Sequence, residues 1–206
     1  MTGLRMLRIA LWGAIGLAGV AFALISTGLL PKPDATPDAT TASVKEIGGS
    51  FRLTSHTGKP FSDADVKGRP FALFFGFTSC PDVCPTTLYQ LSGLMQKLGQ
   101  EADRMPVLFV TVDPERDTPE QLASYLSSFD SRIVGLTGTL SEVDAMTKTF
   151  RAYYRKVDIG DGDYTMDHTA AVYLMGADGR FVATLDPHEA ESAQIGKLRR
   201  LLGTSL

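Results

Sequence analysis

Residues Phe71 to Leu88 read FALFFGFTSCPDVCPTTL. An apolar, aromatic run passes straight into a segment holding the chain's only two cysteines, Cys80 and Cys84, each followed by proline. The run has the length and composition of a buried strand. The following TTLYQLSGLMQKLGQ, from Thr86, puts Leu88, Leu91, Met95 and Leu98 on one face of a helix. Strand, thiol-bearing segment and helix are therefore consecutive.

Pro85 suits the first position of that helix, where a missing N–H costs nothing. This predicts Cys84 as the N-cap, with residues 80–83 as a loop, since proline also disfavours helical backbone in the residue before it. Both sulfurs then lie near a helix N-terminus, where the dipole and free N–H groups favour thiolate. Thiolate is the form that attacks disulfides and the form that binds metals. In a helix the two Cβ atoms would stand about 5–6 Å apart, against the ~3.5–4.5 Å of a disulfide. A loop can close that gap, and a metal tolerates it. A purely structural bridge around so short a loop would remove little chain entropy. A redox couple and a metal site both stay open, although three intervening residues are less usual for thiol exchange than two.

Working outward, PVLFVTVD from Pro106 is a second buried strand. Thr118, Pro119 and Gln121 have the cap, first-turn proline and third-position glutamine of a helix start. RIVGLTG from Arg132 predicts a third strand, SEVDAMTKTFRAYY from Ser141 a helix, and TAAVYLMGADGRFVATLD from Thr169 two strands turning at Asp178 and Gly179. A last helix runs over about residues 190–202. The upstream IGGSFRLTSHTGKPFSDADVKGRP, from Ile47, supplies an N-terminal hairpin. Alternation of strands and helices makes the class α/β, and a thiol pair opening the first long helix gives it the look of a thioredoxin-like fold with a hairpin extension.

Ahead of this domain, Ile9 to Leu30 contains no charged residue. As a helix it would be roughly 33 Å long, enough for a hydrocarbon core of about 30 Å, and longer than the ~7–15 residues of a signal-peptide core. Arg5 and Arg8 precede it, so the positive-inside rule keeps the N-terminus cytoplasmic and places the rest outside. PKPDATPDATTA, Pro31 to Ala42, reads as an extended tether. The expected organisation is an anchor over residues 1–30, a tether over 31–42 and a domain over 43–206. With no Arg-rich, Ser-rich transit segment, the expected location is a bacterial inner membrane, single-pass, with the domain facing the periplasm. Setting aside the three basic and two acidic residues before Ser43 leaves 17 basic against 21 acidic residues, a net charge near −4. Nothing in that balance points to nucleic acid, and no nucleic-acid partner is expected.

Of the three histidines, His56, in a turn segment, and His188, near the start of the last helix, read as solvated. His168, in YTMDHTAAVYL, stands just before a core strand, where a thioredoxin-like fold brings the chain beside the thiol-bearing helix start. Thiol oxidoreductases of that fold carry a cis-proline at this place; here Asp167-His168-Thr169-Ala170-Ala171 has none. Two thiolates and an imidazole suit copper, Cu(I) above all. Asp82, Asp113, Met166 and Asp167 are candidate auxiliary ligands or partners of His168.

GFTSCPDVCPTTL from Gly76, VTVDPERDTPEQL from Val110 and MDHTAAVYLM from Met166 together resemble the Sco/SenC copper chaperones of cytochrome c oxidase assembly, over nearly the whole of the domain. The resemblance implies Cys80, Cys84 and His168 as ligands for copper, held as Cu(I) or Cu(II), with Asp113 to Pro119 a family signature near the site. It implies delivery of copper from an upstream periplasmic donor to the binuclear site of oxidase subunit II. The alternative is a thiol-disulfide oxidoreductase that uses Cys80 and Cys84 to keep that site's cysteines reduced. A thiol peroxidase is a third, weaker reading. Asp113 is given no catalytic role, because a strand end and a helix cap account for its segment.

Overall fold

The computed structural model describes residue 12 and residues 47–203, the latter within a unit that begins at Glu46. Apart from residue 12, the expected anchor at Ile9–Leu30 lies outside the described residues, as does the tether at 31–42. Among the described residues no helix is long and apolar enough to cross a membrane.

Three parallel strands form the centre, apolar runs buried on both faces except at the half-buried Val134, as parallel sheets covered by helices require. They are β3 (Phe71–Gly76), β4 (Val107–Thr111) and β5 (Ile133–Thr137). The hairpin of β1 (Arg52–Ser55) and β2 (Pro60–Ser62) joins the outer side of β5 through antiparallel pairing of β1. On the other flank, β8 (Val172–Met175) runs antiparallel to β3 and β9 (Phe181–Leu185) antiparallel to β8, with a bulge near Met175. The order is β2-β1-β5-β4-β3-β8-β9, which carries the expected thioredoxin-like centre with its hairpin added at one side.

Helix α1 (Val83–Leu98) buries Leu88, Leu91, Met95 and Leu98, the face expected from their spacing. It packs against α4 (Glu191–Leu202), where Lys97 is paired with Glu191 and Gln90 donates to Gln194 at 3.3 Å. Helix α2 (Pro119–Leu126) lies on β5, its N-cap Thr118 accepting from the Gln121 N–H at 3.3 Å. Helix α3 (Leu140–Thr149) opens on a full capping box between Thr139 and Glu142 and lies on β1. Phe150 caps it and buries its ring edge-on against Phe75 and Phe51, at 6.2 and 6.1 Å.

Two expectations are corrected. Helix α1 starts before Pro85: its N-cap is Asp82, whose carbonyl accepts from the Thr86 N–H at 3.1 Å, so Cys84 is inside the first turn. Proline is tolerated there because first-turn N–H groups have no intrahelical partner to lose. The helix expected over Ser141 to Tyr154 stops at Thr149, with Arg151 in left-handed backbone at φ 53°. The chain then makes a separate two-stranded sheet, β6 (Tyr154–Gly160) and β7 (Asp163–His168), turning at Asp161 and Gly162, with φ of 54° and 78°. Asp-Gly is the hairpin dipeptide that supports such a turn, and the signal was present in the sequence.

Register fixes what meets what. Gly76 of β3 lies beside Thr111 of β4, so the segments after both strands leave from one end of the sheet. Val172 of β8 pairs antiparallel with Phe74, so the residues just before β8 arrive at that same end. The carboxyl end of a parallel sheet is where α/β proteins place their sites.

Candidate metal centre

At that end the structure brings Cys80, Cys84 and His168 together, with their ligand atoms all within 4.8 Å of one another. Cys84 is completely buried beneath the helix start and Cys80 is half-buried in the loop above it; both are free thiols. The Cys84 N–H, one of the unpaired amides of the first turn, points at Cys80 Sγ at 3.4 Å. Cys84 Sγ lies 3.6 Å from His168 Nε2.

His168 ends β7, opposite Tyr154. Its ring stands edge-on to Phe77 and Phe74, at 5.7 and 6.3 Å between centroids. Nδ1 lies 3.1 Å from the Thr169 carbonyl, which can only accept, so Nδ1 carries a proton. Burial holds the imidazole below its ordinary protonation range, with the Thr169 carbonyl and the Asp167 charge opposing. The ring is therefore neutral near pH 7, with the Nε2 lone pair aimed at Cys84. A backbone oxygen that fixes the tautomer in this way is the usual support of a metal-ligating histidine.

Burial also pushes the Cys84 thiol well above its ordinary range, outweighing a lowering contact with the Phe77 backbone. Burial thus opposes the thiolate that the helix N-terminus favours. A metal cation would supply the missing positive charge, releasing the proton as it binds.

An open groove of about 240 Å³ reaches Cys80 and His168, lined also by Phe77, Pro81, Met166 and Asp167, with Cys84 buried behind them. The auxiliary candidates are differently employed. Asp82 is exposed at the N-cap, Asp167 pairs with Arg155 at 3.2 Å, and Met166 is buried in the core while lining the groove. Asp113 is buried and turned to Arg116 and Tyr164. His188 is exposed, as expected. His56 is only partly solvated: it is half-buried and its Nδ1 accepts from the Gly135 N–H at 3.0 Å, which ties the end of β1 to β5.

The segment Asp113 to Asp117 reaches the site from below. Asp117 is buried and its carboxylate accepts from the Thr78 N–H at 3.0 Å, the Thr78 hydroxyl at 2.6 Å and the Thr111 hydroxyl at 2.6 Å. Burial nonetheless raises its carboxyl above the ordinary range. Thr78 stands two residues before Cys80, so this carboxylate holds the start of the cysteine loop. Nothing local in the sequence marks that role, because the partners are 39 residues apart.

A family model described as SCO1/SenC matches residues 39–203. The chain belongs to the SCO1/SenC family. Among SCO1/SenC relatives, the human mitochondrial SCO1 homologue is 43% identical over 140 residues, which are 66% of this chain and 46% of that protein. The chain thus spans about half the length of the mammalian and plant relatives it matches. The copper-bound ScoI of Bradyrhizobium japonicum has a TM-score of 0.72 and 46% identity, covering 75% of this chain and 99% of that one. BsSco has a TM-score of 0.63 and 25% identity, covering 79% and 96%. A disulfide switch has been identified in it, and it is described as a member of the Sco family of cytochrome c oxidase assembly proteins.

Two sulfurs and one imidazole nitrogen make a donor set that fits Cu(I) by softness and leaves hard cations without the oxygen ligands those prefer.

Proposed function

We propose that this chain is a copper chaperone of cytochrome c oxidase assembly, binding copper through Cys80 Sγ, Cys84 Sγ and His168 Nε2. The observation that carries the reading is the convergence of those three atoms within 4.8 Å, with the imidazole held neutral and its free nitrogen turned inward. Copper in the Bradyrhizobium protein and the oxidase-assembly role of BsSco support it. In the proposed cycle an upstream donor in the periplasm loads copper, as Cu(I) or Cu(II), and the apo binuclear site of oxidase subunit II receives it by ligand exchange. Residues 1–30 anchor the chain in the inner membrane, residues 31–42 hold the domain off it, and residues 43–206 carry the cargo.

The test is His168→Ala. The variant keeps both thiols and the helix start, so Cys80 and Cys84 should form and lose a disulfide at a potential near wild type. Cu(I) affinity, measured by competition with a chelator, should fall by at least about tenfold. Under copper-limited growth, assembly of the oxidase copper site should fail as badly as with Cys80→Ser or Cys84→Ser. Full assembly in His168→Ala cells would overturn the chaperone reading.

A second reading is favoured by the two free thiols whose sulfurs lie within 4.8 Å. As a reductant, the pair would pass two electrons to a disulfide of the recipient site. Cys80 and Cys84 would become a disulfide, and the recipient would gain two thiols. His168 is dispensable for that chemistry, so the same variant separates the two readings.

A further inference from the structure

The hairpin that ends in His168 has no ladder to the main sheet: β6 and β7 pair only with each other among the described residues. The imidazole is therefore placed by side-chain contacts and by the short link through residues 169–171 into β8. Along β7, residues 164, 166 and 168 share one face. Met166 on that face is buried in the core. Tyr164 is held more specifically. Arg116 Nη1 donates to the Tyr164 carbonyl at 3.0 Å and to Asp163 Oδ1 at 3.3 Å, and its guanidinium covers the Tyr164 ring at 3.8 Å. Tyr164 donates its hydroxyl to Asp113 Oδ1 at 2.9 Å, and Asp113 Oδ2 accepts from Arg116 Nε at 2.5 Å. Lys156, on the other strand, lies over the same ring at 3.7 Å and pairs with Glu115 at 2.8 Å.

The body-side groups that hold Tyr164, Asp163 and Lys156 belong to one tight turn, closed by Arg116 and Asp117 N–H groups donating to the Asp113 carbonyl. The same turn carries Asp117, which holds Thr78 and hence the cysteine loop. One short segment therefore grips both halves of the donor set. We infer that Arg116 is a positioning residue of the metal site, holding His168 in register with Cys80 and Cys84 by clamping Tyr164 while its neighbour Asp117 fixes the cysteine side. The inference rests on the proposed metal-binding reading, and it assigns the Asp113–Asp117 signature a role beyond ending a strand and capping a helix. A forked guanidinium suits the task because one side chain must serve a carboxylate, a carbonyl and a ring face together; lysine cannot.

The experiment compares Arg116→Ala, Tyr164→Phe and wild type as full chains, with and without His168→Ala. In the metal-free, reduced protein, ring currents from Phe77 and Phe74 displace the His168 C–H resonances. In Arg116→Ala these should move towards those of free histidine while the Thr78 amide resonance stays in place. Cu(I) affinity should drop about 10–100-fold, the range for losing a residue that orients a ligand. In the His168→Ala background the same substitution should cost little more, because both changes remove one contribution. Tyr164→Phe, which deletes only the hydroxyl contact, should show a smaller form of the same pattern. Unmoved His168 resonances in Arg116→Ala, or an equal fold-loss of Cu(I) affinity with and without His168, would overturn the inference. If wild type and His168→Ala held Cu(I) equally well, the metal-site reading would fail by itself, and the ring resonances would still decide whether Arg116 places the imidazole.

Discussion

At the last residue of β3, Gly76 offers no side chain, and the space is used by others. A methyl group there would sit 2.9 Å from Cys84 Sγ and 2.6 Å from the Phe109 ring, both closer than real contacts allow. Cys84 and Phe109 are completely buried, so neither can swing into solvent to make room. Gly76→Ala should therefore cost about 1–3 kcal/mol of stability by overpacking, measured as a lower denaturant midpoint, and should weaken Cu(I) binding by displacing the buried sulfur. An unchanged midpoint would show that the core yields more easily than these contacts imply. The three groups that converge in the candidate site were each singled out in the sequence: Cys80 and Cys84 from their spacing and prolines, His168 from its place before a core strand. Asp117 and Arg116 were not, because what they do depends on partners 39 and 48 residues away.

Among the elements, the three parallel strands, the four helices and the hairpin of β8 and β9 were readable from apolar runs, periodicity and turn dipeptides. β6 and β7 were missed because Ser141 to Tyr154 continues a helix-like pattern past the true end, and because a half-exposed strand pair lacks a continuous apolar run. Asp161-Gly162 was the available signal. The loop between α2 and β5 permits a test of charge at this scale. Asp130 accepts from the Arg132 N–H, Nε and Nη2 at 3.0, 2.8 and 2.7 Å, and Arg132 reaches on to Gly99 O and Asp103. The hydrogen bonds from Arg132 hold the Asp130 carboxyl below the ordinary carboxylate range. Folding thus favours its ionised form. The contribution is complete above the unfolded value near pH 4 and is lost as pH falls through the lowered folded value. Asp130→Asn should be less stable than wild type by about 1 kcal/mol at pH 7, and urea titrations should show the gap closing below pH ~4. A gap that persisted at acid pH would mean the substitution acts through packing and not through charge.

For the whole molecule, the proposed anchor makes a prediction independent of the site. Chain produced in cells should stay with membranes through a high-salt wash and keep its residues before Ile9. Recovery of a soluble form starting near Pro31 would show instead a cleaved leader, and the proposed copper chemistry would be unaffected. An anchored domain is concentrated on a surface, where neighbouring copies meet often. β2 and β9 then matter as the two margins of the seven-stranded sheet. Any unpaired margin is a template on which another chain can lay down a further strand. β2 is three residues long and opens on Pro60, which has no N–H to offer, while β9 is thrown out of step with β8 by the bulge near Met175. Neither margin gives a newcomer a long, flat ladder to continue. Crowded copies should remain separate molecules, each with its own groove open to whatever comes to exchange with it.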